Sequence, residues 1–205
     1  KIIRWGFFFA GITIMSLGIS LTIKGQSLGI SPWDVLHIGL YRQLGLSIGS
    51  WNIITGLAII SFVSMVTKEW PKLGTWLNII VIGIFIDIFN WLLPDITTFW
   101  GQTIVFVVGA IVMGCGSAIY VSPALGAGPR DSLLLLVDKF GFSIRGIRTV
   151  IEILVSILGW FLGGPIGVGT VIIALLLGPI IHYALPQSQK LLLKCMRVKD
   201  ISVLK

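Results

Sequence analysis

Few residues of this 205-residue chain could do chemistry, and those that could lie in or beside long apolar stretches. An ionisable side chain near the centre of a membrane helix costs about 2.5–3.5 kcal/mol on insertion scales, so it rarely lacks a role. The candidate residues for a substrate or ion pathway are Asp34, Asp131, Asp87, His182, Glu152 and Arg148. No metal-ligand cluster, nucleotide loop or nucleophile–base arrangement accompanies them, so the sequence predicts no metal site, no cofactor and no enzymatic activity.

Asp34 and Asp131 end two copies of one motif, L-G-x-x-P-x-D. Proline fits the first position of a helix, where its missing N–H costs nothing, and glycine permits a tight reversal of the chain. Each copy therefore predicts the start of a short helix. The residues that mark these starts are Gly29, Ser31 and Pro32 in the first copy and Gly126, Gly128, Pro129 and Arg130 in the second.

These two helix starts allow two interpretations. In the first, the free N–H groups and positive dipole ends of both short helices face a central binding site from opposite sides. In the second, Asp34 and Asp131 only cap their own helices. The two interpretations are compatible where a capping carboxylate leaves other N–H groups free.

Asp87 and His182 lie at equivalent positions of the two halves, at a shift of 95 residues. We expect both side chains to point into the bundle, within about a water-bridged distance of each other, where histidine is suited to proton exchange near neutrality. The alternative is that each snorkels or makes local hydrogen bonds separately.

Arg148 and Glu152 are four residues apart, on one stripe of a helix that also carries Arg145. They form either a structural ion pair or part of a pathway.

The composition indicates that these residues lie in a membrane protein. The chain is 56% hydrophobic and 11% charged, with a mean hydropathy of +1.01. Soluble domains are about a quarter charged, so this chain lacks a water-facing exterior. The net charge of +7 does not indicate nucleic-acid binding, because the basic residues lie between and beyond the apolar runs.

Six apolar runs are long enough to cross a hydrocarbon core of about 30 Å. They are Trp5–Ile23, Ile48–Val66, Thr75–Leu93, Thr103–Val121, Ile147–Leu162 and Gly167–Leu185. Two shorter helix candidates, Pro32–Leu44 and Pro129–Phe140, are predicted to be half-membrane helices, either re-entrant or flat at the interface.

Basic residues set the predicted orientation. With the N-terminus in the cytoplasm, only Lys24 and Arg42 of the 15 basic residues fall outside. The positive-inside rule therefore predicts a multi-pass protein of the cytoplasmic membrane with both termini inside and a basic cytoplasmic tail over residues 187–205.

The chain also repeats itself, in a single membrane domain with copies near residues 5–93 and 103–185. Gly11, Met15 and Gly18 match Gly109, Met113 and Gly116 at a shift of 98. The shift falls to 97 at the L-G-x-x-P-x-D motifs and to 95 at Gly74, Thr75 and Gly83, without a break in order. Each copy has three crossings, so the second must be inverted. The predicted fold is an all-α integral membrane protein with six spans and two half-helices in two inverted repeats.

The duplicated motif, followed by G-x-S-I and a glycine-containing span, resembles the YczE/YyaS/YitT-type family of bacterial membrane proteins. The resemblance covers almost the whole chain and implies a multi-spanning protein of the bacterial cytoplasmic membrane. The chain looks closer to the YczE-like branch, and this resemblance implies that it is without the soluble C-terminal domain of YitT-like members.

Inverted repeats with short helices at corresponding positions recur in secondary transporters, with the site near the midplane. The leading expectation is a small secondary transporter or permease for a solute or ion; the alternative is a non-transporting membrane scaffold or accessory factor. The expected partner is the lipid bilayer, and not nucleic acid. The sequence leaves the substrate, coupling ion and oligomeric state open.

Overall fold

The computed structural model describes residues 1–138 and 144–198, and in these ranges it contains α-helices and one 3₁₀ turn at Gln26–Leu28, with no strand. The predicted all-α class is confirmed. The helices are α1 Ile2–Lys24, α2 Pro32–Leu44, α3 Ile48–Thr67, α4 Leu73–Leu92, α5 Phe99–Val121, α6 Pro129–Asp138, α7 Ile144–Phe161 and α8 Val168–Met196. Positions 139–143 and 199–205, and the side chains of Asp138, Ile144 and Arg145, lie outside the described residues.

Five of these helices are long and apolar enough to cross a membrane: α1, α3, α4, α5 and α8. The chain is therefore a multi-pass membrane protein. The remaining predicted span, Ile147–Leu162, coincides with α7, which has 18 residues. Its three charged residues, Arg145, Arg148 and Glu152, set α7 apart from the other five.

The centre of the bundle is an antiparallel pair, α1 and α5, whose backbones touch at glycines. A Cβ added to Gly18 would lie 2.3 Å from the Met113 nitrogen, which leaves no room for any side chain. Close contacts pair Gly11 with Tyr120, Met15 with Gly116, Gly18 with Met113, and Thr22 with Gly109. Small residues at helix crossings give this kind of approach in membranes, where dispersion contacts replace the hydrophobic effect.

The other helices pack around this pair. Helix α4 contacts α1 and α3, α8 contacts α5, and α2 and α6 each contact both α3 and α7. Helix α2 is built into the bundle, with Asp34, His37 and Gly39 all buried. At Gly39 the backbone of α7 is so close that an added Cβ would lie 2.6 Å from the Gly159 carbonyl oxygen.

Helix α8 is longer than predicted. It runs 29 residues to Met196 and includes Pro186, so the first part of the predicted tail is helical. Leu192 and Leu193 pack against Phe7, which explains why this segment stays ordered on α1.

Two ends of the bundle can be distinguished by the contacts between chain segments. At the Arg4 end, the Arg4 Nε donates to the Pro123 carbonyl oxygen at 3.0 Å, just beyond α5. The start of α4 lies here too, since Gly74 meets Leu125. At the Lys24 end, the Lys24 Nζ lies 2.6 Å from Asp95.

Candidate functional site

A cavity of about 840 Å³ occupies the middle of the bundle and is lined by residues from α1 through α8. This volume lies in the usual range for small-molecule sites, about 300–1,000 Å³. Along α3 its lining extends from Asn52 to Thr67, and it continues to the α3–α4 connection at Lys72. Fifteen helical residues span about 22 Å, most of a hydrocarbon core of about 30 Å. The cavity thus reaches deep into the bundle from the Arg4 end.

The two short helices start where the L-G-x-x-P-x-D motifs predict, and their starts meet at this cavity. Pro32 and Pro129 are the first residues of α2 and α6. The first intrahelical bonds follow, from the Val35 nitrogen to the Ser31 oxygen and from the Ser132 nitrogen to the Gly128 oxygen, both at 2.9 Å. Across the gap, the Arg130 guanidinium carbon lies 5.0 Å from the centroid of the Trp33 ring.

The glycines of the two motifs allow the chain to approach the backbone of a neighbouring helix start closely. Gly29 has φ +95°, and an added Cβ would lie 2.5 Å from the Gly167 nitrogen at the start of α8. Gly126 needs no positive φ, but an added Cβ would lie 2.7 Å from the Thr75 nitrogen at the start of α4. The predicted chain reversal is confirmed at Gly29, and packing alone accounts for Gly126.

Asp34 is fully buried beside His37 on α2. Its exposed fraction is 0%, and neither carboxylate oxygen has a hydrogen-bond partner. The His37 Nδ1 lies 3.6 Å from the Asp34 Oδ1, and the His37 Nε2 lies 2.9 Å from the Thr55 Oγ1 on α3. Asp34 therefore makes no capping bond to its own helix.

The cavity itself holds two of the predicted acids, and each has a local partner. Asp131 accepts a hydrogen bond from the Tyr120 hydroxyl at 3.0 Å. Glu152 accepts one from the Arg148 Nε at 2.9 Å, as the i, i+4 spacing predicts. Both Arg148 and Glu152 line the cavity, so their ion pair is part of its wall.

Arg130 interacts electrostatically with three acidic residues of this region. Asp34, Asp131 and Glu152 all lie within electrostatic range of its guanidinium. The structure thus brings Asp34, Asp131, Arg130, Arg148 and Glu152 into one region.

Asp87 lies elsewhere, at the start of α3. Its Oδ1 accepts from the Gly49 nitrogen at 2.8 Å, and its Oδ2 accepts from the Ser47 hydroxyl at 2.5 Å. A carboxylate that binds first-turn N–H groups is an N-terminal cap supplied by a neighbouring helix. Asp87 does not line the cavity.

The expectation that His182 points into the bundle is wrong, because its side chain is exposed on α8. The hydrogen bonds of Asp87 are made with Ser47 and Gly49. Helices α3 and α4 touch through Gly49 and Gly83, whereas the position equivalent to Gly49 in the second half is Arg145.

The sequence reasoning missed several cavity residues, among them Trp33, His37, Asn78 and Tyr120. Asn78 is 2% exposed and its Nδ2 has no hydrogen-bond partner. The i, i+3 spacing of Asp34 and His37 was a usable signal, and so was an amide inside an apolar run. Trp33 and Tyr120 had none, because aromatic residues are common in spans. Among the described residues, no group of three or more potential metal ligands is found.

Comparisons with known proteins identify a family and several relatives of this chain. A family model described as "Family of unknown function (DUF6198)" matches residues 2–186. An uncharacterized membrane protein, YczE of Bacillus subtilis, is 47% identical over 93% of this chain and 89% of its own length. The uncharacterized protein YyaS of the same species is 32% identical over 89% and 92%, respectively. An uncharacterized protein of Haemophilus influenzae is 35% identical over 85% and 79%. No solved structure matches.

Proposed function

The chain belongs to the family of unknown function DUF6198 as a YczE-like membrane protein, and from this premise we propose that it is a small secondary transporter. The permease would carry a small solute or ion through the cavity between its two halves. The observation that carries the proposal is the depth of that cavity, which follows α3 from Thr67 to Asn52 and ends against the starts of both short helices.

Inverted repeats are the first supporting argument. At a shift of 98 residues, the contact of Gly11 with Tyr120 becomes the contact of Gly109 with Thr22, and the contact of Gly18 with Met113 becomes that of Gly116 with Met15. Each contact is thus accompanied by its mate, as in an isologous interface. Since α1 and α5 are antiparallel, the two-fold axis proposed here is perpendicular to them and lies in the membrane plane.

A second reciprocal contact lies away from this pair. Gly74 at the start of α4 meets the Leu125 oxygen, and its counterpart Gly169 at the start of α8 meets the Leu28 oxygen, at 2.6 and 2.8 Å from the added Cβ. These contacts support two halves of the same construction, with the short helices inserted from opposite faces.

Six crossings follow if α7 also spans. Its 18 residues are about 27 Å long, and it ends at the Lys24 end, where the Gln43 side chain donates to the Leu162 oxygen at 3.1 Å. Arg148 and Glu152 face the cavity instead of lipid, which reduces the cost of burying their charges. By the positive-inside rule the Arg4 end is cytoplasmic, with both termini inside the bacterial cell.

Helix α2 packs more tightly in the bundle than α6 does. This difference supports a proposal in which the two short helices open and close the two ends of the cavity in turn. Near the Lys24 end, α2 is sealed against α7 through Gly39 and Gly159. The counterparts of these glycines in the other half are Leu136 and Val63, and both line the cavity. On this proposal the cavity is open to the inside, and exchange of the two packings would open it to the outside.

Accessibility of the deep end of the cavity tests the proposal. We expect a cysteine at Asn52, in a chain without its two native cysteines, to react with a membrane-impermeant thiol reagent from the cytoplasmic side and, more slowly, from outside. Gly39→Ala forces α2 away from α7, so it should raise the outside rate. Gly6→Ala is the matched control, because nothing lies within 4 Å of an added Cβ there.

A scaffold or accessory factor needs only one stable packing. Labelling of Asn52→Cys from the cytoplasmic side alone, with no outside reaction even in the Gly39→Ala variant, would overturn the permease proposal in favour of that alternative.

A further inference from the structure

We infer that the cavity binds a small organic anion, a carboxylate on an apolar body, at the Arg130 guanidinium. This inference rests on the proposed function, and it names the substrate class of the same site.

Arg130 offers donors that nothing in the described chain uses. Its side chain makes no hydrogen bond to a described residue, and it lines the cavity. Trp33 lies against its guanidinium at 5.0 Å. A guanidinium held on an aromatic face keeps its planar fork of N–H groups available, and that fork matches a carboxylate.

A second, independent donor points to the same place. Asn78 is 2% exposed, lines the cavity, and has an Nδ2 with no partner. A buried amide N–H₂ without an acceptor is costly, so an acceptor on a ligand would satisfy it. Its amide is next to the start of α6, since a Cβ added to Gly128 would lie 3.4 Å from the Asn78 Oδ1. The first-turn N–H groups of α6 have no intrahelical partner and carry the positive end of the helix dipole.

Of the three acidic groups near Arg130, Glu152 is paired with an arginine and Asp34 is shielded from the cavity, whereas Asp131 is exposed. Asp131 accepts from Tyr120 and Glu152 accepts from Arg148. Asp34 is 0% exposed and does not line the cavity. Its carboxylate lies within electrostatic range of the Arg130 guanidinium, and the unused groups of Arg130 and Asn78 are donors.

The rest of the wall is apolar and sets the character of the remainder of the ligand. Ile60, Val63, Ile173 and Leu177 line the cavity on α3 and α8. A ligand with its carboxylate at Arg130 would place an alkyl or aryl body against these side chains. A volume of about 840 Å³ accommodates such a molecule, because small-ligand sites begin near 300 Å³.

Binding to the purified full chain by isothermal titration calorimetry tests the inference. The probes are benzoate and hexanoate as anions, benzamide as the neutral match and benzylamine as the cationic match. We expect at least one anion to bind about tenfold or more tightly than benzamide, and benzylamine to bind no better than benzamide. Benzylamine as the tightest ligand, or no preference for either anion, would overturn the inference.

Variants then assign the binding to the named donors. Arg130→Gln should weaken anion binding about tenfold or more, and Asn78→Asp should do the same because it replaces a donor by a negative charge. Arg197→Gln, on an exposed arginine at the end of α8, is the matched control and should bind like the unmodified chain. Because Arg130→Gln leaves Asp34 without its counter-charge, the double variant Arg130→Gln with Asp34→Asn tests the site if the single variant does not fold. Unchanged anion binding in the variants that fold would refute the assignment.

The two proposals fail separately. Outside labelling of Asn52→Cys without any anion preference would remove the substrate class and leave the permease. Anion binding at Arg130 in a chain labelled only from the cytoplasmic side would remove the permease and leave the site.

Discussion

Replacing Asp87 by asparagine should destabilise the fold without touching the cavity. Its carboxylate accepts from the Ser47 hydroxyl and the Gly49 nitrogen, and so holds the start of α3 against α4. Asparagine keeps one acceptor oxygen and loses the charge.

The size of the effect follows from these contacts. A hydrogen bond to a charged group contributes about 1.5–3 kcal/mol, and a carboxylate at a helix N-terminus contributes about 0.3–1 kcal/mol through the dipole. Losing one bond and the dipole interaction lowers the free energy of unfolding by about 2–4 kcal/mol. For a chain of this size each kcal/mol shifts the melting temperature by about 2–4 °C, so a fall of roughly 5–15 °C is expected.

Thermal melting of the purified protein measures this, with Asp95→Asn as the matched control. Asp95 pairs with Lys24 but its side chain is 89% exposed, and exposed pairs contribute little. A wild-type melting temperature for Asp87→Asn, combined with lost anion binding, would refute the structural role and return Asp87 to the pathway.

Three further outcomes are expected. An impermeant thiol reagent applied to intact cells should label Ser27→Cys but not Lys72→Cys, because the Lys24 and Arg4 ends lie on opposite sides; the reverse pattern would contradict the orientation. Gly18→Ala should lower the unfolding free energy by about 1–3 kcal/mol by separating α1 from α5, while Gly6→Ala should leave the melting temperature unchanged. His182→Ala should change stability by less than about 0.5 kcal/mol, because the side chain is exposed; a larger loss would mean that it is packed after all.

Local chemistry made the short helices predictable. Proline is favoured at the first position of a helix, and α2 and α6 start at Pro32 and Pro129, where the motifs place them. Glycines at matching positions likewise identified the α1–α5 contact, because a helix crossing this close excludes side chains. Such features depend on one or two residues and on geometry that the sequence carries directly.

Whether the side chains of Asp87 and His182 meet could not be predicted from such local features. A shift of 95 residues establishes which positions correspond, but it does not establish which neighbour each side chain meets. Asp87 finds the α3 N-terminus because Gly49 and Gly83 let the helices touch. In the second half Arg145 stands at the position of Gly49, and the His182 side chain is exposed on α8.

The reciprocal contacts of α1 and α5 also suggest how such a chain could arise. On the proposed symmetry, Gly11 with Tyr120 and Gly109 with Thr22 are one contact made twice, so two separate copies of a single three-span ancestor would have formed an antiparallel, isologous dimer through it. Such an ancestor must insert in both orientations, which requires loops with little charge bias. Gene duplication and fusion would remove that requirement and let each half gain lysine and arginine on its cytoplasmic side. On the proposed orientation Lys24 and Arg42 lie outside, and they would be retained for their contacts with Asp95 and with the Gly163 carbonyl oxygen.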